Sequence, residues 1–282
     1  MSNLPRVVLT GGVSGGHTFP LIAVARTLQA RYPQGIEFLF IGSEGTFESN
    51  AMSAAGIPVK YVLYGKMRRY FSLLNYLDAF KLPIGFVQAL WHLLWFMPDV
   101  VFSKGGAASV PVVLAARLYR IPVLIHDSDS VAGRANVFLR NFVQKIAIAY
   151  PSAAQFFPAD KTILTGNPVR TEVYSGSVES ARAIFSLAPE KKTILIVGGS
   201  QGARGLNIAV LRILPALLTK GIQVIHQVGN QNIGDVSALA AELGVPLQGG
   251  DYHPVPFLDP QAIGDAYAAA DLVISRAGAG SI

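Results

Sequence analysis

Two glycine-rich turns set the strongest limit on how this chain can fold. The first lies within Thr-Gly-Gly-Val-Ser-Gly-Gly-His-Thr-Phe-Pro at residues 10–20, after an apolar run and before a helical pattern. The second, at residues 198–204, follows another apolar run and opens another helical pattern. Glycine leaves backbone N–H groups uncovered and tolerates positive φ, and the following helix directs its positive dipole end at the turn. Each turn therefore predicts a strand-turn-helix unit that can hold an anion or a sugar, and the pair predicts two similar lobes.

The pattern around these turns predicts an α/β fold. Strand and helix patterns alternate along both halves of the chain, which is typical of parallel, doubly wound sheets. The predicted strands lie at residues 7–9, 37–42, 59–63, 99–103, 121–125, 145–149, 193–197, 223–227 and 272–275. We therefore predict two Rossmann-like lobes with doubly wound parallel sheets, the first at residues 1–160 and the second at residues 161–282.

The second lobe is incomplete in the sequence. Its last strand pattern, residues 272–275, leads into a glycine turn without the crossover helix that would cover a buried parallel strand. We expect the chain to be truncated at the C-terminus, with a naturally short chain as the alternative. Residues 151–170 contain three prolines and little periodicity, which favours a linker between the lobes.

Composition narrows the class of partner. Apolar residues make up 51% and charged residues 14% of the 282 residues, as in a globular protein. The net charge of +6 favours anionic partners such as phosphates or an acidic bilayer. The sequence has neither a long basic run nor a zinc-finger spacing, which argues against nucleic acid.

No cysteine is present, which excludes disulfides and thiolate chemistry. The polar N-terminus lacks a signal-peptide pattern, so we expect a cytoplasmic protein.

Residues 65–98 form an unusually apolar segment. Charged and polar residues and a proline interrupt the run, and a spanning helix needs about 20 largely apolar residues, so we expect no transmembrane helix. The first half, residues 67–86, predicts a patch that dips into an anionic membrane interface, with a buried pair of helices as the alternative. The predicted patch consists of Met67, Arg68, Arg69, Tyr70, Phe71, Leu74, Leu77 and Phe80.

Six motifs occur in an order that resembles the MurG family of bacterial N-acetylglucosaminyltransferases, which has the two-lobed glycosyltransferase B fold. They are the opening turn with His17 and Pro20, Gly105-Gly106, His126 with the acid after it, residues 166–170 (Gly-Asn-Pro-Val-Arg), residues 199–204 (Gly-Ser-Gln-Gly-Ala-Arg), and Arg276 with Gly278. The resemblance covers the whole chain. It implies inverting transfer of GlcNAc from UDP-GlcNAc to the muramyl 4-hydroxyl of lipid I, giving lipid II for peptidoglycan synthesis.

The resemblance also implies where the protein acts in the cell and which substrate each lobe binds. It implies a peripheral protein on the cytoplasmic face of the plasma membrane, whose first lobe faces the lipid acceptor and whose second lobe binds the nucleotide sugar. Residues 67–86 fall where the family has its membrane-associating patch. The binding residues that it implies are Ser14, Gly15, Gly16, Gly105, Gly106 and Asp129 in the first lobe, and Arg170, Ser200, Gln201, Gly202 and Leu258 in the second.

The chemistry of an inverting transfer requires a base for the acceptor hydroxyl and donors for the charge that builds on UDP. His17 is the first candidate base, because a helix N-terminus keeps an imidazole neutral, and Asp127 is the second. Capping of a following helix is the alternative role for each, and a solvated loop acid is a further alternative for Asp127. Arg170 offers phosphate a fixed fork of donors, with an ion pair to Glu172 as its alternative. No metal or other cofactor is implied, because residues 126–129 have Asp-x-Asp spacing but match a His-Glu-Gln-Asn stretch of the family.

The departures from the family pattern leave alternatives open. Val13, Ala107 and Val110 replace two glycines and an aromatic residue, and Asp129 replaces an asparagine. The chain stops before the family's ribose-binding glutamate, so we expect weak transfer or none from these 282 residues. A transferase of the same fold with another acceptor and a degenerate, membrane-docked nucleotide-sugar-binding module both remain possible. An NAD-binding domain fails, because no acidic residue follows the opening turn at the end of the second strand.

Overall fold

The computed structural model describes residues 4–12, 15–65, 74–199, 202–247, 249–276 and 278. The contacts divide the chain into two compact units, Met1–Val169 and Arg170–Ile282. This division falls nine residues beyond the lobe boundary that the sequence suggests at residue 160. Each unit has its own sheet and its own buried apolar clusters.

The first unit is a parallel sheet with helices on both faces. Its strands are β1 Arg6–Thr10, β2 Glu37–Gly42, β3 Val59–Tyr61, β4 Val100–Ser103, β5 Val123–Asp127, β6 Lys145–Ile148 and β7 Thr162–Leu164. Its α-helices are α1 Gly15–Arg31, α2 Thr46–Ala54, α3 Leu74–Phe96, α4 Ser109–Leu118 and α5 Arg134–Leu139. The strands pair in the order β3-β2-β1-β4-β5-β6-β7, so the direction of winding reverses between β1 and β4.

The central strands are apolar on both faces because helices cover both. Val8 and Val101 point into one cluster, which includes residues of α3 and α4. Leu9 and Phe40 point into the other, which includes residues of α1 and α2. These runs of β-branched and aromatic residues are typical of strands buried on two sides.

Two helices differ from the sequence prediction. Helix α1 begins at Gly15, six residues before the predicted start at residue 21, so His17 and Pro20 lie inside the helix. Helix α3 runs without interruption from Leu74 to Phe96 and includes Pro83, so this stretch is one helix and not a pair. In the part of the chain that the structure describes, no helix has both the length and the apolar character needed to cross a membrane.

The second unit repeats the architecture with fewer strands. Its strands are β8 Thr193–Val197, β9 Gln223–Gln227, β10 Tyr252–Val255 and β11 Leu272–Ser275, all parallel, in the order β10-β9-β8-β11. Its α-helices are α6 Val178–Phe185, α7 Arg204–Thr219, α8 Ile233–Glu242 and α9 Pro260–Ala269. The α/β fold class with two doubly wound sheets is thereby confirmed.

Two strands escaped the sequence prediction. Strand β7 lies within the predicted linker, and its three residues are too few to show a periodicity between flanking proline and glycine. Strand β10 contains Pro254, which interrupts a strand pattern because proline has no N–H to donate. The sheet accepts this proline because β10 pairs only with β9 and is an edge strand.

A buried histidine lies in the core of the second unit. His226 on β9 is fully buried, and its Nδ1 is 3.0 Å from the Tyr252 hydroxyl of β10. Its Nε2 has no hydrogen-bond partner among the described residues. Burial lowers the pKa of His226 to about 4, so the folded unit holds this ring neutral.

We expect this histidine to make the protein less stable in mild acid. The unfolded chain protonates His226 near pH 6.5, whereas the folded chain resists protonation down to about pH 4. The resulting stabilisation, on the order of 3 kcal/mol, is complete above pH 6.5 and is lost as the pH falls towards 4. Urea unfolding followed by circular dichroism should show a flatter pH dependence for His226→Gln than for the wild type. Parallel curves for the two proteins would contradict this expectation.

Candidate functional site

The carboxyl ends of β1, β4 and β5 carry the candidate site of the first unit. The three strands are adjacent and parallel, so the turns that follow them meet at one edge of the sheet. This edge lies where the winding reverses, the place at which open α/β sheets bind their ligands. The described parts of the turns are residues 11–12, 104–108 and 128–133.

A close backbone contact joins the turns after β1 and β4. Gly106 has φ of +91°, and a Cβ on it would lie 2.6 Å from the Gly12 Cα. A Cβ on Gly12 would lie 3.2 Å from the His17 ring and 3.3 Å from the Gly106 Cα. Gly105 also has positive φ, and a Cβ there would overlap the Asn136 amide of α5. Glycine is therefore required at residue 106 for the two turns to touch, and at residue 105 for the turn to pass Asn136.

His17 projects from the first turn of α1 towards the turn after β4. Its Nδ1 is 3.0 Å from the backbone carbonyl oxygen of Lys104 and therefore carries the proton that it donates to that oxygen. The neutral ring then has its lone pair on Nε2. Burial lowers the pKa of His17, and the Lys104 charge lowers it further, while the hydrogen bond to the Lys104 carbonyl and the charges of Asp129 and Asp127 oppose the shift. The ring is thus a neutral imidazole at physiological pH, with Nε2 as its acceptor nitrogen.

Lys104 is a buried cation at the centre of the site. Only 2% of its surface is exposed, and its Nζ is 2.7 Å from Nδ1 of His126. Nε2 of His126 is 2.8 Å from the Gly166 carbonyl oxygen, which can only accept, so Nε2 carries the proton and Nδ1 accepts from Lys104. Burial and the Lys104 charge lower the pKa of His126 to about 4. Burial lowers the pKa of Lys104 to about 8, against the opposing charges of Asp127 and Asp129.

A chain of hydrogen bonds continues from Lys104 into the end of the first unit. The Lys104 ammonium group also donates to the Ser128 hydroxyl. That hydroxyl donates to Oδ1 of Asn167 over 2.6 Å. The Gly166-Asn167 segment is therefore held by two side chains, those of His126 and Ser128, and both of them contact Lys104.

Asp127 organises the turn after β5. Its Oδ1 accepts from the Asp129 N–H at 3.0 Å, and its Oδ2 accepts from the Gly133 N–H at 2.9 Å and from Nδ2 of Asn136 at 3.0 Å. Only 2% of the residue is exposed. Its carboxylate is thus occupied by the turn, by the residue before α5 and by the Asn136 side chain. Asp129 is exposed, and its charge acts on both Lys104 and His17.

The second glycine turn connects β8 with α7. A Cβ on Gly202 would lie 2.0 Å from the Val228 carbonyl oxygen, so only glycine fits against the end of β9. Asn207 and Asn232 donate to the same carbonyl oxygen over 3.0 and 2.9 Å. Gly199 has φ of +88° and is exposed, and nothing lies within 4 Å of a Cβ placed on it. The Gly199 carbonyl oxygen accepts from Nε2 of Gln227 over 3.0 Å and from the Gly202 N–H over 2.9 Å, so Gly199 is exposed with its carbonyl already paired.

The other predicted binding residues of the second unit lie apart from this turn in the sequence. Arg170 begins the unit and is half-buried, and its positive charge acts on the Tyr267 hydroxyl of α9, opposing the rise in the Tyr267 pKa that burial causes. Leu258 is 6% exposed, and its side chain packs with residues of α6 and α9. A ligand near Leu258 would meet its backbone more readily than its side chain.

The remaining predicted site residues lie at the start of α1, in the first part of α3 or outside the described residues. Gly15 and Gly16 form the start of α1. Ser14, Ser200, Gln201 and residues 67–71 of the predicted membrane patch lie outside the described residues. Leu74, Leu77 and Phe80 belong to α3, but the description of its side chains begins at Lys81.

Sequence reasoning missed three polar residues of the site. Lys104 directly follows a buried strand, and a charged residue between a β-branched run and a Gly-Gly pair was a usable signal. Asn136 and Asn167 gave no such signal, because one lies inside a helix pattern and the other in a segment that was interpreted through its proline and arginine. Only the fold brings Lys104, Asn136 and Asn167 together around the turn after β5.

Family models cover most of both units. The glycosyltransferase family 28 N-terminal domain matches residues 7–148, and the C-terminal domain of the same family matches residues 193–282. The chain belongs to glycosyltransferase family 28. Similar curated proteins carry the name UDP-N-acetylglucosamine--N-acetylmuramyl-(pentapeptide) pyrophosphoryl-undecaprenol N-acetylglucosamine transferase. The one from Phocaeicola vulgatus is 40% identical over 98% of this chain and 73% of its own length. One of Bacillus cereus is 38% identical over 99% of this chain and 75% of its own length.

Solved structures agree with this assignment. The crystal structure of Acinetobacter baumannii MurG matches with a TM-score of 0.66 and 29% identity, over 98% of this chain and 73% of that one. The resemblance to the MurG family is thereby confirmed. UDP-GlcNAc 2-epimerase from Neisseria meningitidis, solved with UDP-GlcNAc bound, matches with a TM-score of 0.63 at 16% identity, over 97% of this chain and 78% of that one. At that identity the epimerase shows a shared fold alone.

The contact between Gly12 and Gly106 gives a prediction for stability. Gly106→Ala places a methyl group 2.6 Å from the Gly12 Cα at a residue with positive φ, and we expect it to destabilise the protein by about 2–4 kcal/mol. Gly234→Ala is the matched control, because Gly234 lies in α8 with nothing within 4 Å of an added Cβ. The control should be neutral or slightly more stable, since alanine favours helix. Urea unfolding of the two variants measures the difference, and equal stability would show that the turns can separate at no cost.

Proposed function

We propose that this chain transfers GlcNAc from UDP-GlcNAc to the muramyl 4-hydroxyl of lipid I, as an inverting glycosyltransferase. The observation that carries the proposal is the 40% identity over 98% of the chain to a relative named for that transfer. In this reaction the acceptor oxygen forms a bond to the anomeric carbon, the bond from that carbon to the diphosphate oxygen breaks, and UDP leaves with the bonding electrons. The hydroxyl proton must pass to a base as the oxygen attacks.

We assign the role of the base to His17. Its Nδ1–H donates to the Lys104 carbonyl, so the accepting nitrogen is Nε2, and its lowered pKa keeps that nitrogen unprotonated at neutral pH. Asp127 is a weaker candidate, because three donors already occupy its carboxylate. Gly105 and Gly106 directly follow Lys104, whose carbonyl oxygen contacts the His17 ring. Asp129 is exposed in the turn after β5.

We assign the donor to the second unit. The exposed backbone at Gly199 precedes α7, and the positive end of a helix dipole suits a diphosphate. Ser200, Gln201 and Gly202 continue the same turn. Arg170 can offer a bidentate guanidinium to the phosphate oxygens, and the backbone at Leu258 can contact the uracil edge. Stabilisation of the leaving diphosphate is thus electrostatic, from backbone N–H groups and one cation.

We propose that helix α3 docks the protein on an anionic membrane. Its exposed apolar side chains recur at helical spacing and form one stripe, which we call the α3 stripe: Ile84, Val87, Trp91, Leu94 and Trp95. The rings of Trp91 and Trp95 touch edge to face, with centroids 5.6 Å apart. Helix α4 packs against α3 and adds the exposed residues Arg117 and Arg120 at and beyond its end. Tryptophan beside basic residues is typical of a helix that lies in the interface of an acidic bilayer. The predicted patch at residues 67–80 adjoins this stripe in the sequence, and docking of this kind would place the protein at the cytoplasmic face of the plasma membrane.

The transfer is tested with UDP-GlcNAc and a short-chain lipid I analogue. We expect a disaccharide-linked product, detected by mass spectrometry, at a low rate that rises with pH through an apparent pKa below 6.5, because only neutral His17 accepts the proton. His17→Ala should lower kcat by about 100- to 10,000-fold. UDP-GlcNAc binding measured by calorimetry should be unchanged in this variant.

Two outcomes would contradict these assignments. His92→Ala is the control, since His92 is another histidine with a lowered pKa but lies on α3 and contacts the Tyr61 carbonyl oxygen. A His17→Ala variant as active as this control would remove His17 from the role of base. Binding of UDP-GlcNAc without any transferred sugar from the wild type would favour the nucleotide-sugar-binding module, and transfer to a different glycolipid alone would change the acceptor.

Membrane docking is tested by sedimentation with vesicles of anionic phospholipid. We expect Trp91→Ser/Trp95→Ser to bind at least about tenfold more weakly than the wild type, because two half-exposed aromatic side chains no longer enter the interface. Leu239→Ser/Leu243→Ser is the matched control, since these side chains are exposed one turn apart on α8 or at its end. Equal losses in both double variants would indicate a general hydrophobic effect and would contradict docking through the α3 stripe.

A further inference from the structure

One residue touches both halves of the candidate site in the first unit. The backbone carbonyl oxygen of Lys104 is 3.0 Å from Nδ1 of His17. The ammonium group of the same residue is 2.7 Å from Nδ1 of His126 and donates to the Ser128 hydroxyl. Lys104 thus connects the first turn of α1 to the turn after β5, and it is 2% exposed.

We propose that Lys104 is a positioning residue for the transfer: its carbonyl orients the His17 imidazole, and its ammonium group fixes the turn at residues 126–129. The inference rests on the proposed function for its consequence in catalysis. Its geometric part, the link between His17 and the turn after β5, stands on the contacts of Lys104 alone.

The charged groups around His17 make the sign of the effect of Lys104 on the ring clear. Lys104, from the turn after β4, is the cation that acts on the ring, and Asp127 and Asp129, from the turn after β5, are the anions. His126 beside Lys104 is neutral, because burial and the Lys104 charge hold its pKa at about 4. The first turn of α1 contributes no acidic residue. Without Lys104, two carboxylates would face His17 with no opposing cation among the described groups that act on this ring, and the ring would take up a proton more readily.

The buried ammonium group also fixes a tautomer. A cation can only donate, so His126 must accept at Nδ1 and keep its proton on Nε2, which then donates to the Gly166 carbonyl over 2.8 Å. The Ser128 hydroxyl accepts from the ammonium group and therefore directs its own proton to Asn167. The directions of these hydrogen bonds are mutually consistent, and such networks restrict the orientation of each group.

The test is an NMR titration of the histidines in the whole chain, which requires no substrate. In Lys104→Met we expect the pKa of His17 to rise by on the order of half a pH unit, because an adjacent cation is removed while burial is retained. The nitrogen shifts of His126 should lose the signature of a fixed Nε2–H tautomer. Lys145→Met is the matched control, since it removes the same charge from the exposed start of β6, at the opposite end of the strands, and should leave His17 unchanged. Lys104→Gln is a second neutral variant that retains a donor for Ser128.

Kinetics separate this inference from the proposed function. If the transfer is observed, the acid limb of the pH profile of kcat should move upward in Lys104→Met by the same amount as the His17 pKa. If the wild type transfers nothing but the NMR shift occurs, the proposed function fails and the positioning role of Lys104 stands. An unchanged His17 titration in a folded Lys104→Met or Lys104→Gln protein overturns the inference. Failure of both variants to fold overturns it as well, because Lys104 would then be a requirement of the fold.

Discussion

The backbone contact between Gly12 and Gly106 is the constraint on which the first unit's site depends. The two residues approach so closely that a side chain on Gly106 would lie 2.6 Å from the Gly12 Cα. Because the turns after β1 and β4 touch there, the first turn of α1 lies against the backbone of Lys104, and His17 reaches a carbonyl oxygen 87 residues away in the sequence. The position of the His17 ring thus depends on the absence of two side chains.

The polar groups at this edge are arranged for orientation and not for stability. A buried ammonium group costs several kcal/mol in desolvation, and replacement of buried ion pairs by apolar residues often makes a protein more stable. Lys104 is nevertheless buried in the site. Its ammonium group is hydrogen-bonded to His126 and Ser128, and the negative charges of Asp127 and Asp129 favour its protonated form. A role of the fixed tautomers and charges in the chemistry at His17 would explain this desolvation cost.

The sequence predicted the parts of the fold that depend on local pattern. Residues 37–42, 193–197, 223–227 and 272–275 are strands as predicted, because short runs rich in β-branched and aromatic residues favour strands. Strand β10 was missed, since its tolerance for Pro254 depends on its place at the sheet edge, which no local pattern encodes.

Some residues of the candidate site could likewise be identified from the local sequence, whereas others could not. His17 could be identified from its turn, and the resemblance to a known family assigned it a role before any contact was known. The partnership of Lys104 with His126, Ser128 and Asn167 could not be identified, because these residues are up to 63 positions apart and meet only where parallel strands end together. Asp127 shows the limit of reasoning from residue type. A carboxylate that could act as a base is equally suited to hold a turn through its hydrogen bonds.

The two glycine turns resemble each other in sequence but differ in what their backbone is free to do. In the first turn Gly12 is buried against Gly106 and the His17 ring, so its glycines serve close packing. In the second turn Gly202 packs against the Val228 carbonyl oxygen, while Gly199 remains exposed with open space beside it. An anion needs uncovered N–H groups at a helix start, and a base needs a ring held in place by its neighbours. The first turn therefore packs its described glycine closely against its neighbours, and the second leaves Gly199 exposed, even though both have the same strand-turn-helix pattern.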